Sequence, residues 1–138
     1  MKELEECFRK GELKKIPENK AFASDDLKQA EFFLNEAYDL IEIKKKEMAL
    51  IALYNSVFHA ARALLYLDEI KEKSHYCLQK YLETHYVSSK MLSREDISMF
   101  DLLRGLRQEV QYNVIKTEFP KKLIIYTIKL KDSLKKSR

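Results

Sequence analysis

Glycine and proline are nearly missing from this chain. Its 138 residues hold two of each, whereas sheet-rich folds need frequent turns that draw on both. That scarcity argues against a barrel or sandwich and for few, long elements. The two cysteines, Cys7 and Cys77, are far apart and form no CxxC pair. No signal peptide is read ahead of them, so two reduced thiols in a cytoplasmic protein are expected. His75 and Cys77 are too few to make a metal site by themselves, and neither a metal nor a cofactor is expected. A glycine-rich phosphate loop, GxSxG and HExxH are all absent, which removes the common loop-based nucleotide, hydrolase and metalloprotease readings. No internal repeat or low-complexity tract occurs.

What is present is helix-forming. Leu, Ala, Glu and Lys are abundant and all favour helices. Hydrophobic residues make up 46% and charged residues 35%, enough for one real core under a heavily charged surface. The Lys- and Glu-rich surface would suit a thermophile. The formal net charge of +4 permits an acidic partner such as nucleic acid without requiring one. Part of that excess lies in "KLKDSLKKSR", which reads as a helix C-terminus whose lysines complement the macrodipole. "MALIALYNSVFHAARALLYL" (Met48 to Leu67) is long enough to span a bilayer, but Asn55, Ser56, His59 and Arg62 lie inside it. One central arginine costs about 2.5–3.5 kcal/mol on insertion scales. A buried helix, with no membrane partner, is the expectation.

Periodicity gives the elements. A first helix is predicted from Lys2 to about Lys14, then a loop around Pro17. Ser24 is the expected N-cap of a helix from Asp25 to about Ile43, with Leu27, Ala30, Leu34, Ala37 and Ile41 on its apolar face. A third helix runs from about Lys46 to Leu67, and "DEIKEK" is a loop. Ser74 caps a fourth, and Ser93 with Asp96 forms a capping box for a fifth that ends near Gln111 or Tyr112. The last segment is predicted helical, with Pro120 in its first turn. The result is an all-α, antiparallel up-and-down bundle of five or six helices. It is read as a single domain over 1–138, with an N-terminal helix and loop in 1–20 and the bundle core in 25–134.

Two polar stripes stand out. On the third helix, Asn55, His59, Arg62 and Tyr66 follow at intervals of four, three and four, so they share one face. They suit either a row of groups pairing with a neighbouring helix or a groove wall for an anionic ligand. On the fifth helix, "LRGLRQEVQYNV", Met99, Leu102, Leu103, Leu106 and Val110 are the expected core face. At about 100° per residue, Arg104, Arg107, Gln108 and Gln111 fall opposite. Phe100 and Gly105 are placed among them, and such a face suits a partner interface through Phe100, Arg104 and Gly105.

Three strings, "ALYNSVFHAARALLY", "KSHYCLQKYLETHYV" and "LLRGLRQEVQYNV", resemble HEPN domains of the small prokaryotic subgroup. There the motif helix carries Arg and Tyr in place of the Arg-x(4-6)-His of the RNase members. The resemblance covers about Asp25 to Leu134. It implies a homodimeric helical bundle, often a toxin–antitoxin component paired with a minimal nucleotidyltransferase protein. Arg107 matches the motif arginine and Tyr112 the tyrosine of the subgroup. The positions where a histidine would fall hold Tyr112, Asn113 and Val114, and Gln108 stands where an asparagine often follows the arginine.

That departure bears on chemistry. Histidine trades a proton near neutral pH, whereas an ordinary tyrosine, with a pKa near 10, does not. Arginine still holds a phosphate. The resemblance therefore implies a module that binds nucleotide or RNA at Arg107, Gln108 and Gln111, with Asn55, His59, Arg62 and His75 as further candidate ligand-binding residues. The alternatives are a metal-independent endoribonuclease toxin using Arg107 and Tyr112, and a non-catalytic structural dimer.

Overall fold

The computed structural model describes residues 2–90, 92–112, 121 and 123–128. Pro120, Asn113 and the basic tail from residue 129 onward lie outside the described residues. Helices α1 (Lys2–Arg9), α2 (Lys20–Glu42), α3 (Lys46–Leu67), α4 (His75–Leu82) and α5 (Arg94–Tyr112) dominate, and residues 123–128 are helical as well. The fold is an all-α helical bundle. Its one sheet among the described residues is a ribbon of β1 (Leu13–Lys15) and β2 (Ile70–Glu72), antiparallel, with Leu13 opposite Glu72.

The chain divides into two compact units, Met1–Leu27 with His59–Ser98, and Lys28–Phe58 with Met99–Arg138. In the first, α1 ends earlier than its charge pattern suggests. Gly11 takes φ 73°, its N–H donates to Phe8 O at 3.1 Å, and the Glu12 N–H donates to Cys7 O at 2.9 Å. This is a Schellman turn, which stops a helix at a left-handed glycine. The chain then enters β1, so residues 13–15, expected at the helix end or in the loop, pair instead with residues from the stretch expected to be the next loop. Asn19, not Ser24, caps α2, its side chain accepting from Phe22 N–H at 3.0 Å. The cysteines are joined as a disulfide, with Cα atoms 5.8 Å apart. This corrects the expectation of two reduced thiols: their separation in sequence hid a contact between α1 and α4.

Ser74 caps α4, accepting from Cys77 N–H at 3.2 Å, and a π-helical turn, Glu83–Val87, follows. Asp68, at the end of α3, accepts hydrogen bonds from the hydroxyls of Tyr81 and Tyr86 at 3.0 and 2.8 Å. Burial first, then the Asp68 carboxylate, pushes Tyr81 up to about 12, and Tyr86 is raised for the same reasons. The capping box at the start of α5 is formed in both directions, Ser93 N–H to Asp96 and Asp96 N–H to Ser93, each at 3.0 Å.

In the second unit, alanines 30, 37, 49 and 52 are buried and let helices approach closely. Ser56 Oγ donates to Ala30 O at 2.7 Å. Tyr54, 1% exposed, stacks on Phe58 at 6.3 Å and meets Phe100 at 5.9 Å. Leu123 and Thr127 are fully buried, with the Thr127 hydroxyl donating to Leu123 O at 2.7 Å. Phe100 is therefore core, which corrects its placement on a polar face. The buried positions of α5 are Met99, Phe100 and Leu103, so the core face is rotated towards Phe100. α3 is long and apolar enough to cross a membrane by length and composition. Here it is a core helix with Ala49, Leu50, Leu53, Tyr54 and Leu65 buried.

Candidate functional site

The stripe on α3 is divided between the units. His59 and Arg62 lie in the first and Asn55 in the second. In the first unit the stripe meets a residue not singled out from the sequence, Asp26. The buried positions of α2 include Ala23, Asp26, Ala30, Leu34 and Ala37, while Leu27 is exposed. Asp26 thus takes the turn of the apolar face that periodicity assigned to Leu27. Its carboxylate, in a residue 4% exposed, accepts from Arg62 Nε at 3.0 Å and Arg62 Nη2 at 2.9 Å. It also lies 2.9 Å from His59 Nδ1, which donates in the tautomer the carboxylate selects. Buried carboxylates need such partners, and the fork of an arginine supplies two parallel bonds.

The hydrogen bond to Asp26 is the main reason the Arg62 guanidinium is held above its ordinary range. The ring of Tyr66 lies 5.9 Å from the same guanidinium, and Glu72 on β2 is 4.0 Å away. Glu72 is 8% exposed, and its Oε1 accepts no hydrogen bond from the described residues. Burial raises its pKa, opposed by Lys71 and Arg62. The contacts of His59 and Arg62 compensate a buried charge. They occupy His59 Nδ1 and Arg62 Nε and Nη2.

Arg107, in the second unit, is placed differently. It follows Leu103 by four residues and Phe100 by seven, so it rides the edge of the buried face of α5 rather than its far side. Its guanidinium lies over the Tyr54 ring, 4.7 Å from the centroid, a cation–π geometry. Its Nε is buried without a hydrogen-bond partner among the described residues, and none of the ion pairs found among them involves it. Arg104, one turn earlier, is paired with Asp101 at 2.9 Å. Gln108, Gln111 and Tyr112 are exposed, Tyr112 at 74%. Asn55, in the same unit, is half-buried. His75 is the first residue of α4, in the other unit. Gly105 is exposed, and a Cβ there would meet nothing within 4 Å.

An arginine seated on an aromatic ring, with no ion pair among the described residues and with amides and a phenol exposed along the same helix, can hold an anion or a flat base. None of the ion pairs or hydrogen bonds found among the described residues sets an imidazole or a carboxylate on Arg107.

A helical bundle with such an arginine is the class of protein defined so far. The family model of the HEPN domain matches residues 23–135, nearly the whole bundle. The chain belongs to the HEPN domain family. Comparisons with curated proteins and with solved structures return no match.

Proposed function

We propose that this protein is a homodimeric HEPN module that binds nucleotide or single-stranded RNA at Arg107. One observation carries the reading: the Arg107 guanidinium lies over the Tyr54 ring with an Nε that has no partner among the described residues, while Arg62 and Arg104 are held by Asp26 and Asp101. A phosphate would supply the counter-charge that the described residues do not give Arg107, and Gln108 and Gln111 offer amides on the same helix. Ile125 and Ile128, 54% and 44% exposed and three residues apart on one helical face, support a contact with a second copy. By resemblance to the small prokaryotic subgroup, a minimal nucleotidyltransferase protein is the partner, in a toxin–antitoxin pair of the cytoplasm.

The second reading, a metal-independent endoribonuclease, is favoured by the exposure of the Tyr112 hydroxyl. It is disfavoured by the phase of the helix, since five residues separate Tyr112 from Arg107 by about 140°. The test is binding and cleavage of a mixed single-stranded RNA in EDTA by the wild type, Arg107→Ala and Tyr112→Phe. Binding without cleavage, weakened in Arg107→Ala alone, is expected. Cleavage lost in both variants would establish the nuclease instead. Equal binding by all three forms would leave a structural dimer.

A further inference from the structure

The unit formed by Met1–Leu27 and His59–Ser98 contains a cluster that the Arg107 reading does not use. Cys7 on α1 and Cys77 in the first turn of α4 are 3% and 1% exposed. Glu12 joins them because the Schellman turn at Gly11 folds the chain back. The Glu12 N–H is fixed to Cys7 O at 2.9 Å, and its carbonyl accepts from the Lys73 N–H at 2.8 Å. With the backbone pinned on both sides, Glu12 Oε2 lies 3.2 Å from the Cys77 sulfur. One ligand atom from each of the three residues lies within 4.8 Å of the others. A disulfide sulfur carries no hydrogen, so the carboxylate gains no hydrogen bond from it. Beside two thiolates, the same carboxylate completes a set of donors suited to a borderline-soft divalent cation.

We propose that the reduced protein binds one zinc ion through Cys7 Sγ, Cys77 Sγ and Glu12, with water in the fourth position, and that the disulfide is the metal-free form of this site. Zinc–thiolate bonds of about 2.3 Å in a tetrahedron place the sulfurs about 3.8 Å apart, which side-chain rotation accommodates at a Cα separation of 5.8 Å. Cys77 sits at the start of α4, where the helix dipole favours the thiolate. Reduction of the disulfide by a phosphine and water yields two thiols and the phosphine oxide. Zinc then displaces one proton from each thiol, and both protons pass to solvent. Cys7 and Glu12 precede the segment matched by the family model, and Cys77 lies within it. The metal therefore ties the added N-terminal segment to the family domain under reducing conditions, as the disulfide does under oxidising ones. The inference is independent of RNA binding, since all three ligands lie in the first unit.

The test is an anaerobic cobalt(II) titration of the full chain, metal-free and reduced with a phosphine. The expected result is a thiolate-to-cobalt charge-transfer band and tetrahedral visible bands, saturating at one cobalt per chain. Zinc abolishes the bands, and the oxidised protein does not develop them. Cys7→Ser and Cys77→Ser lose the charge-transfer intensity, and Glu12→Gln weakens binding by at least about tenfold. No band in the reduced wild type would overturn the proposal, as would a band of full strength in Cys7→Ser or unchanged affinity in Glu12→Gln. Should a serine variant not fold, alkylation of the wild type decides. Zinc is expected to protect both thiols from iodoacetamide, and alkylation at equal rates with and without zinc would also overturn the site.

Discussion

Arg62 in the first unit and Arg107 in the second both lie against a tyrosine ring, at 5.9 Å from Tyr66 and 4.7 Å from Tyr54. They differ in what else they touch. Arg62 is locked to a buried carboxylate through two hydrogen bonds, with a second carboxylate 4.0 Å away. Arg107 has the ring and no counter-charge among the described residues. The first arrangement ties α2 to α3 through a charge on the buried face of α2. The second is a cation packed on a ring, with no counter-charge among the described residues. An arginine in a polar stripe thus says little about function until the partner on the neighbouring element is known.

The largest expected effect follows from that difference. Arg62→Ala leaves Asp26 buried without its fork and should cost about 3 kcal/mol of stability, the scale seen when one partner of a buried ion pair is removed. Arg107→Ala loses a cation–π contact, with no ion pair among the described residues to break, and should cost about 0.5–1 kcal/mol. Urea unfolding of the two variants side by side measures both. Equal costs would erase the distinction between a structural and an available arginine. Asp26→Ala combined with Arg62→Ala should cost less than the sum of the single changes, because the pair acts as a unit.

Next in size is the electrostatic share of RNA binding. If Arg107 neutralises one phosphate, Arg107→Ala should lower affinity by about tenfold and reduce the salt dependence of binding by about one phosphate contact. Arg104→Ala should change the salt slope less, because Asp101 already offsets its charge. A salt slope that is the same in the wild type and in Arg107→Ala would mean that the guanidinium does not touch a phosphate.

A smaller effect separates the fold from self-association. Gly105 is exposed within α5, and a methyl group there meets nothing. Gly105→Ala should therefore stabilise the chain by about 0.5–1 kcal/mol through helix propensity. Sedimentation equilibrium gives the second readout. Weaker self-association in the same variant would place Gly105 at a close contact with a second copy. Unchanged association would remove it from the interface.

Much of the fold was legible because its signals are local. The apolar length of α3, the Ser74 cap and the Ser93–Asp96 box each sit within a few residues, and each is found where the pattern puts it. The features that escaped depend on distant partners. The ribbon of Leu13–Lys15 with Ile70–Glu72 is too short to show alternation. Cys7 and Cys77 give no spacing signal for their bond. Asp26 resembles any surface carboxylate in a charged stretch, and only its placement one residue before Leu27, in phase with Ala30 and Leu34, hints at burial. On α5 the apolar residues fit two phases about one residue apart. That ambiguity placed Phe100 outside the core and Arg107 on the far side, and packing against Tyr54 resolves it. Arg107 is singled out by its polar stripe as well as by the resemblance, but its seat on Tyr54 cannot be read from spacing.

Glu72 provides the finest test of how Arg62 is neutralised. Burial raises its pKa above the ordinary 4.5, and Lys71 and Arg62 oppose that shift without cancelling it. A carboxyl group with a raised folded-state pKa contributes stability that is fully present below its unfolded value and is lost as pH rises through the folded value. Glu72→Gln keeps the shape and carries no charge at either pH. The variant should therefore gain stability relative to the wild type between pH 4 and pH 7, read as the difference in urea midpoints at the two pH values. A gain places the neutralisation of Arg62 on Asp26, with Glu72 an onlooker that is costly when ionised. A relative loss over the same interval would show that attraction to Arg62 outweighs burial, and that the first unit holds its arginine with two carboxylates.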